Sequence, residues 1–163
     1  MRKFKVLHLL NHLDLGGLQE NTLFTVAYLD RNRYDVALAA SCQRGRTGNQ
    51  LVRDAQQIPG LKLIDVPHLT REPHPINDVI ALGELYRLMR RERFDIVHTH
   101  AAKAGVLGRL AAKLAGVPII IHSAHGWIFQ TLSGLRLRLS LFRFLEWMSA
   151  QWSDKILTVT KDT

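Results

Sequence analysis

A single cysteine, Cys42, stands in a chain of 163 residues. That excludes an intrachain disulfide and fits a reducing compartment. At the end of a β-rich run, Cys42 reads as a small buried hydrophobe rather than a reactive thiol. Long apolar runs are missing too: nothing approaches the roughly 20 residues that a membrane-spanning helix needs. The start Met1-Arg2-Lys3 opens like a secretory leader, but Asn11, His12 and Asp14 cut the apolar run short and no small-residue cleavage site follows. The expectation is a cytoplasmic protein that meets the inner face of a membrane only peripherally. Acidic residues are scarce, 14 against 22 Lys and Arg, which leaves a net charge of +8. The excess gathers at 87–93 and 136–143, where it is either a solvated helix face or a match for anionic lipid or small anionic substrates. Nucleic acid is disfavoured, because aromatic-interleaved basic strands, zinc-finger spacing and helix-turn-helix patterning are all lacking.

What is present is a regular alternation. Apolar residues make up 47% of the chain, enough for a substantial core, and they switch between short β-rich runs and longer helical periods. Strands are expected at 5–11 (KVLHLLN), 34–41 (YDVALAAS), 61–66, 95–99 (DIVHT), 119–122 and 155–160 (KILTVT). Helices are expected at 18–29, 50–57, 76–92, 104–114 and 135–152, with Pro59-Gly60 and Gly116 ahead of Pro118 as stops. On the 76–92 helix, Leu82, Leu85, Tyr86 and Met89 make the expected apolar stripe. The 119–122 run, very apolar, is expected near the centre of the sheet. Strands alternating with helices predict an α/β fold: a Rossmann-like, doubly wound, mostly parallel sheet of about six strands with helices on both faces. No repeat or linker divides the chain. Its stop straight after the sixth strand, without a covering helix, suggests a cut.

In such a sheet, ligands lie beyond the carboxyl ends of the strands, where the strand order reverses. For the order 3-2-1-4-5-6 the loops after strands one, four and five converge there: 12–17, 100–103 and 123–127. Gly16-Gly17 opens the first helix, where missing side chains let a phosphate or sugar approach a helix N-terminus that favours anions. The competing reading is a tight turn that needs positive φ. A dinucleotide site is disfavoured, since HLDLGGLQ lacks G-x-G-x-x-G spacing and the second strand ends without an acidic residue. A Walker loop is absent as well. His98 and His100 share one side of their strand. A metal pair lacks an evident third ligand, and the reading preferred packs His98 inside while His100 projects into the crevice. Lys103, at the start of the following helix, either meets an anion there or is an exposed lysine. His125-Gly126, after the fifth strand, either serves a sugar hydroxyl with a ring that titrates near neutrality or is structural. Trp127 either stacks on a sugar or packs in the core.

The segments HLDLGGLQENT, DIVHTHAAKAGVLGRLAAKLAGVP and HSAHGW, in this order and spacing, resemble the N-terminal domain of retaining GT-B glycosyltransferases of family 4. The resemblance covers essentially the whole chain. It implies one acceptor-side domain over 1–163, and a C-terminal donor-binding domain, absent here, that completes the enzyme in cis or in trans. The implied reaction transfers sugar from a nucleotide-sugar donor to a glycan or lipid-linked acceptor with retention, as in cell-envelope polysaccharide synthesis. The resemblance further implies that Gly16 and Gly17 lie near the donor diphosphate. His125, beside Gly126, orients the donor sugar or acceptor, and His100 and Lys103 line the cleft. No metal or other cofactor is expected, because protein positive charge and helix dipoles meet the leaving diphosphate. Gln19 departs from the glutamate common in relatives. Without the second domain, binding is expected but not turnover.

Two other readings stay open. One is half of a GT-B nucleotide-sugar epimerase, which the His-Thr-His and Lys-Ala-Gly segment fits less well. The other is a non-enzymatic acceptor-binding or membrane-recruiting subunit of a split enzyme. The 135–152 helix, apolar with interspersed arginines, suits either an anionic membrane surface or coverage of the sheet.

Overall fold

The computed structural model describes residues 2–42, 50–70, 72–124 and 136–158, with side chains in the last segment at 140 and from 143 onward. Eleven elements alternate: β1 (Phe4–His12), α1 (Gly17–Tyr28), β2 (Tyr34–Ser41), α2 (Gln50–Gln57), β3 (Leu61–Asp65), α3 (Pro75–Glu92), β4 (Ile96–His100), α4 (Ala102–Ala115), β5 (Ile119–Ala124), α5 (Arg136–Ala150) and β6 (Lys155–Thr158). The six strands form one sheet in the order β3-β2-β1-β4-β5-β6, and every pairing is parallel.

Side-chain alternation along the strands builds two cores. Leu7, Leu9, Val97 and Ile120 point to one face and pack with Ala81, Leu85 and Met89 of α3 and Ala104, Ala111 and Ala112 of α4. Leu10, Val36, Leu38 and Ala40 point to the other and pack with Leu23 and Val26 of α1 and Leu51, Val52 and Ala55 of α2. The helix ends follow local chemistry. Pro75 starts α3, where the His74 ring accepts from Asn77 N–H at 3.3 Å, and Arg93 ends it in the left-handed region at φ 55°. Gly116, at φ 74°, ends α4.

Three expectations need correction. β5 is not central: it lies next to the edge strand β6, and Ile119 is exposed. Parallel strands read as apolar wherever helices flank them, so apolarity alone does not rank their places in the sheet. Tyr86 is exposed, and Leu88 takes its place on the buried stripe of α3. Cys42 is half-buried rather than buried, and burial, reinforced by Asp65, pushes its thiol up to about 11.

Candidate active site at the β1–β4 switch point

β1 leads into β2 on one side of the sheet, while β4 pairs with β1 on the other. The turns β1→α1 and β4→α4 therefore leave the same sheet edge as neighbours. Near its carboxyl end β1 shifts register against β2, between Leu9 and His12. Such irregularities re-aim strand ends, and this one lies beside Asn11 and His12.

The first turn is open. Gly16 caps α1 in extended conformation (φ 171°), with no side chain capping the helix. The first helical bond runs from Glu20 N–H to Gly16 C=O at 3.0 Å, so the amides of Gly17, Leu18 and Gln19 precede any intrahelical partner. A Cβ built on Gly17 would meet nothing within 4 Å, and one on Gly16 would meet only the mobile end of Gln19, at 2.7 Å. Positive φ among the described glycines occurs at Gly60 and Gly116. The tight-turn reading of Gly16-Gly17 is thereby corrected: backbone handedness does not require either glycine.

The second turn is braced. Ala101 holds φ 62° and ψ 159°, a conformation that L-residues rarely adopt. Asn11, at the end of β1, accepts from Ala104 N–H at 2.6 Å and so caps α4 from a neighbouring strand. The Lys103 ammonium donates to the Glu72 carbonyl at 2.7 Å and the Thr70 hydroxyl at 3.4 Å, and pairs with Asp78. Its side chain is only 13% exposed, so its charge is already met inside the chain, where it ties the segment after β3 to α4. A Cβ on Gly105 would sit 2.6 Å from His122 Cε1, and one on Gly108 would overlap Leu9 and lie 2.8 Å from Thr99 Cγ2. The glycines of the Lys-Ala-Gly segment thus let α4 press onto the sheet. Next to them, buried Arg109 donates to the Gly105 carbonyl at 2.8 Å and to the Glu146 carboxylate at 2.7 Å, linking α4 to α5.

On the other face of the same strands lies a histidine cluster. Parallel register sets His8 directly beside His98. His8 Nδ1 and His100 Nε2 are 3.1 Å apart, and His98 Nε2 lies 2.8 Å from the Ser123 hydroxyl. Burial, aided by the nearby His98 and Arg31 charges, holds His8 down at about 3, so its ring is neutral at pH 7. The orientation expected for the pair is reversed: His100 is buried at 3% exposure, whereas His98 is the more accessible ring. The missing partner is His8, a polar residue flanked by Leu7 and Leu9 in the run KVLHLLN and the sequence's only hint of it. Asn11, polar at a strand's carboxyl end, was equally legible and equally missed. His122 faces the opposite side, 2.9 Å from the Thr99 hydroxyl. His125, Gly126 and Trp127 lie outside the described residues. A concavity of about 500 Å³ lined by Lys3, Lys5, Arg31, Tyr34, Asp35 and Gly60 sits at the amino ends of β1 and β2, away from this edge.

The family described as glycosyl transferase 4-like domain matches residues 16–163. The chain belongs to that family. As a glycosyl transferase 4-like domain it is 32% identical, over 95% of its length, to the UDP-Gal:alpha-D-GlcNAc-diphosphoundecaprenol alpha-1,3-galactosyltransferase of Escherichia coli, and it spans 38% of that protein. Its fold matches that of Acinetobacter baumannii MurG (TM-score 0.66, 15% identity, 98% of this chain and 42% of the other). It equally matches UDP-N-acetylglucosamine 2-epimerase from Rickettsia bellii (TM-score 0.65, 13% identity, 99% and 40%). The Rossmann-like, half-of-GT-B architecture expected from the sequence is the one observed. The glycine turn of β1→α1 and the braced β4→α4 turn of this glycosyl transferase 4-like domain meet at its switch point.

Proposed function

We propose that this domain is the acceptor-side half of a retaining glycosyltransferase that moves a sugar from a nucleotide-sugar donor to a glycan or lipid-linked acceptor. The observation that carries the reading is the uncapped N-terminus of α1, open at Gly17 and adjacent to the braced β4→α4 turn. Orphan amides at a helix start bind phosphate well, so Gly16 and Gly17 meet the donor diphosphate and stabilise it as it leaves, without a metal cofactor. His125, with Gly126 beside it, orients the donor sugar or the acceptor at the reacting centre. His100 and Lys103 support the cleft wall from within. A C-terminal donor-binding domain, in cis or in trans, completes the site, and the 163 residues alone bind ligand without turning it over.

The lipid-linked acceptor named for the Escherichia coli relative supports an acceptor at a membrane. None of the described helices is long and apolar enough to cross one. On α5, however, Phe144 and Trp147 are 54% and 63% exposed, with rings 6.2 Å apart beside exposed Arg143. Aromatic rings next to a cation suit peripheral contact with anionic lipid at the inner face. Co-sedimentation with anionic but not zwitterionic vesicles, weakened by Phe144→Ala with Trp147→Ala, is the expected result.

The fold likeness to an epimerase favours one alternative, half of a nucleotide-sugar epimerase. Assay of the complete protein decides between them: sugar transfer to an added acceptor supports the transferase, and donor isomerisation without acceptor supports the epimerase. In the complete enzyme, His125→Ala is expected to lower turnover by roughly 100-fold or more. Near-normal turnover removes His125 from the mechanism. Gly17→Val is expected to block donor approach, and unchanged donor affinity would reduce Gly17 to a helix starter.

A further inference from the structure

We propose that His8, His98 and His100 form a binding site for one borderline transition-metal dication, zinc(II) or a chemical counterpart such as cobalt(II). The three rings each offer a nitrogen, and these atoms all lie within 4.8 Å of one another. Bonds of 2.0–2.1 Å around a tetrahedral ion put ligand nitrogens about 3.4 Å apart. His8 Nδ1 and His100 Nε2, at 3.1 Å, already sit near that spacing. His98 closes the set by a small ring rotation, which its partial exposure allows.

The backbone fixes the arrangement. His8 and His98 are register partners on adjacent parallel strands, and His100 follows His98 by one full pleat on the same face. Ring centroids are 4.2 Å apart for His98 and His100, 5.0 Å for His8 and His98, and 5.4 Å for His8 and His100. Ser123, on β5, reaches His98 Nε2 with its hydroxyl at 2.8 Å and orients that ring, as outer-shell groups do for ligating histidines. The donor set is imidazole with no carboxylate, which suits zinc, cobalt, nickel or copper and not magnesium or calcium. Ligation by both His8 Nδ1 and His100 Nε2 requires the proton they share to move to another ring nitrogen, a tautomer change that leaves the net charge unaltered. Three protein ligands leave a fourth position for water or an anion. An ion held there clips β1 to β4 and engages the His100 ring. The site is independent of the glycosyl-transfer reading and takes no part in the reaction proposed above.

The test uses the untagged 163-residue chain, stripped with a chelator and titrated with zinc chloride by calorimetry and with cobalt chloride by visible absorption. Expected are one saturable equivalent, the d–d bands of four-coordinate cobalt, and a melting temperature raised by roughly 5–10 °C at a hundredfold excess over Kd. His98→Ala should weaken binding at least about 100-fold, and Ser123→Ala about 10-fold. His98→Asn, which retains a polar group towards Ser123, serves if the alanine variant fails to fold by circular dichroism. Absence of saturable binding overturns the proposal. So does zinc affinity unchanged by the His98 substitution in a folded variant, which would put the ion on histidines elsewhere.

Discussion

The two turns that meet at the switch point use glycine for opposite ends. At β1→α1, Gly17 faces open space and the helix start is uncapped. Past β4→α4, on α4 itself, Gly105 and Gly108 face His122, Leu9 and Thr99 with no room for a methyl group, and a side chain from another strand caps the helix. One turn has its backbone exposed where a ligand can approach; the other has its backbone clamped so that the first has a fixed wall. A glycine in a ligand-facing motif therefore says nothing about its purpose until its surroundings are known.

Substitutions should separate the two turns on a stability scale. The largest effect is expected on the braced side, from Glu146→Ala, which leaves buried Arg109 without its carboxylate: about 3–5 kcal/mol by denaturant unfolding. A loss below about 1 kcal/mol would mean that Arg109 finds another partner or water. Gly108→Ala comes next, at roughly 1–3 kcal/mol, because the new methyl group must push Leu9 or Thr99 aside. Asn11→Ala removes the cross-strand cap of α4 and should cost about 1 kcal/mol. Gly17→Ala should be the mildest change, neutral or stabilising by up to about 1 kcal/mol, because the site is open and alanine favours helix. If Gly17→Ala proved as damaging as Gly108→Ala, the contrast between the turns would collapse. Thiol labelling gives a smaller, separate check. Cys42 alkylation should be slow at pH 8 and keep accelerating towards pH 11, and a plateau near pH 9 would contradict its shielded setting.

Most of the fold was legible because strand and helix periods differ plainly in this chain. Elements such as 34–41 and 50–57 were placed to the residue from that pattern alone. The site was legible as a set of loops but not as a set of contacts. Lys103 looks like an anion ligand in sequence, and its commitment to Asp78, Thr70 and Glu72 depends on how the segment after β3 folds back, which no local pattern encodes. His8 was hidden for a related reason. A histidine within a strand's buried apolar stretch acquires meaning only when the register of a strand 90 residues later sets His98 beside it. Glycine packing under α4 was likewise invisible, because helix-to-sheet distance is a tertiary quantity.

The strand order has a consequence for synthesis. β1, β2 and β3, with α1 and α2, are contiguous in the chain and enclose a core of their own. Every interaction that crosses the β1–β4 seam, from His8 with His100 to Asn11 with Ala104, waits for residues that leave the ribosome much later. A nascent chain halted before residue 96 would carry the glycine turn but no opposing wall, and would expose the β1 edge to any strand able to pair with it. The interval between the synthesis of β3 and that of β4 is thus the time when the β1 edge lacks its native neighbour.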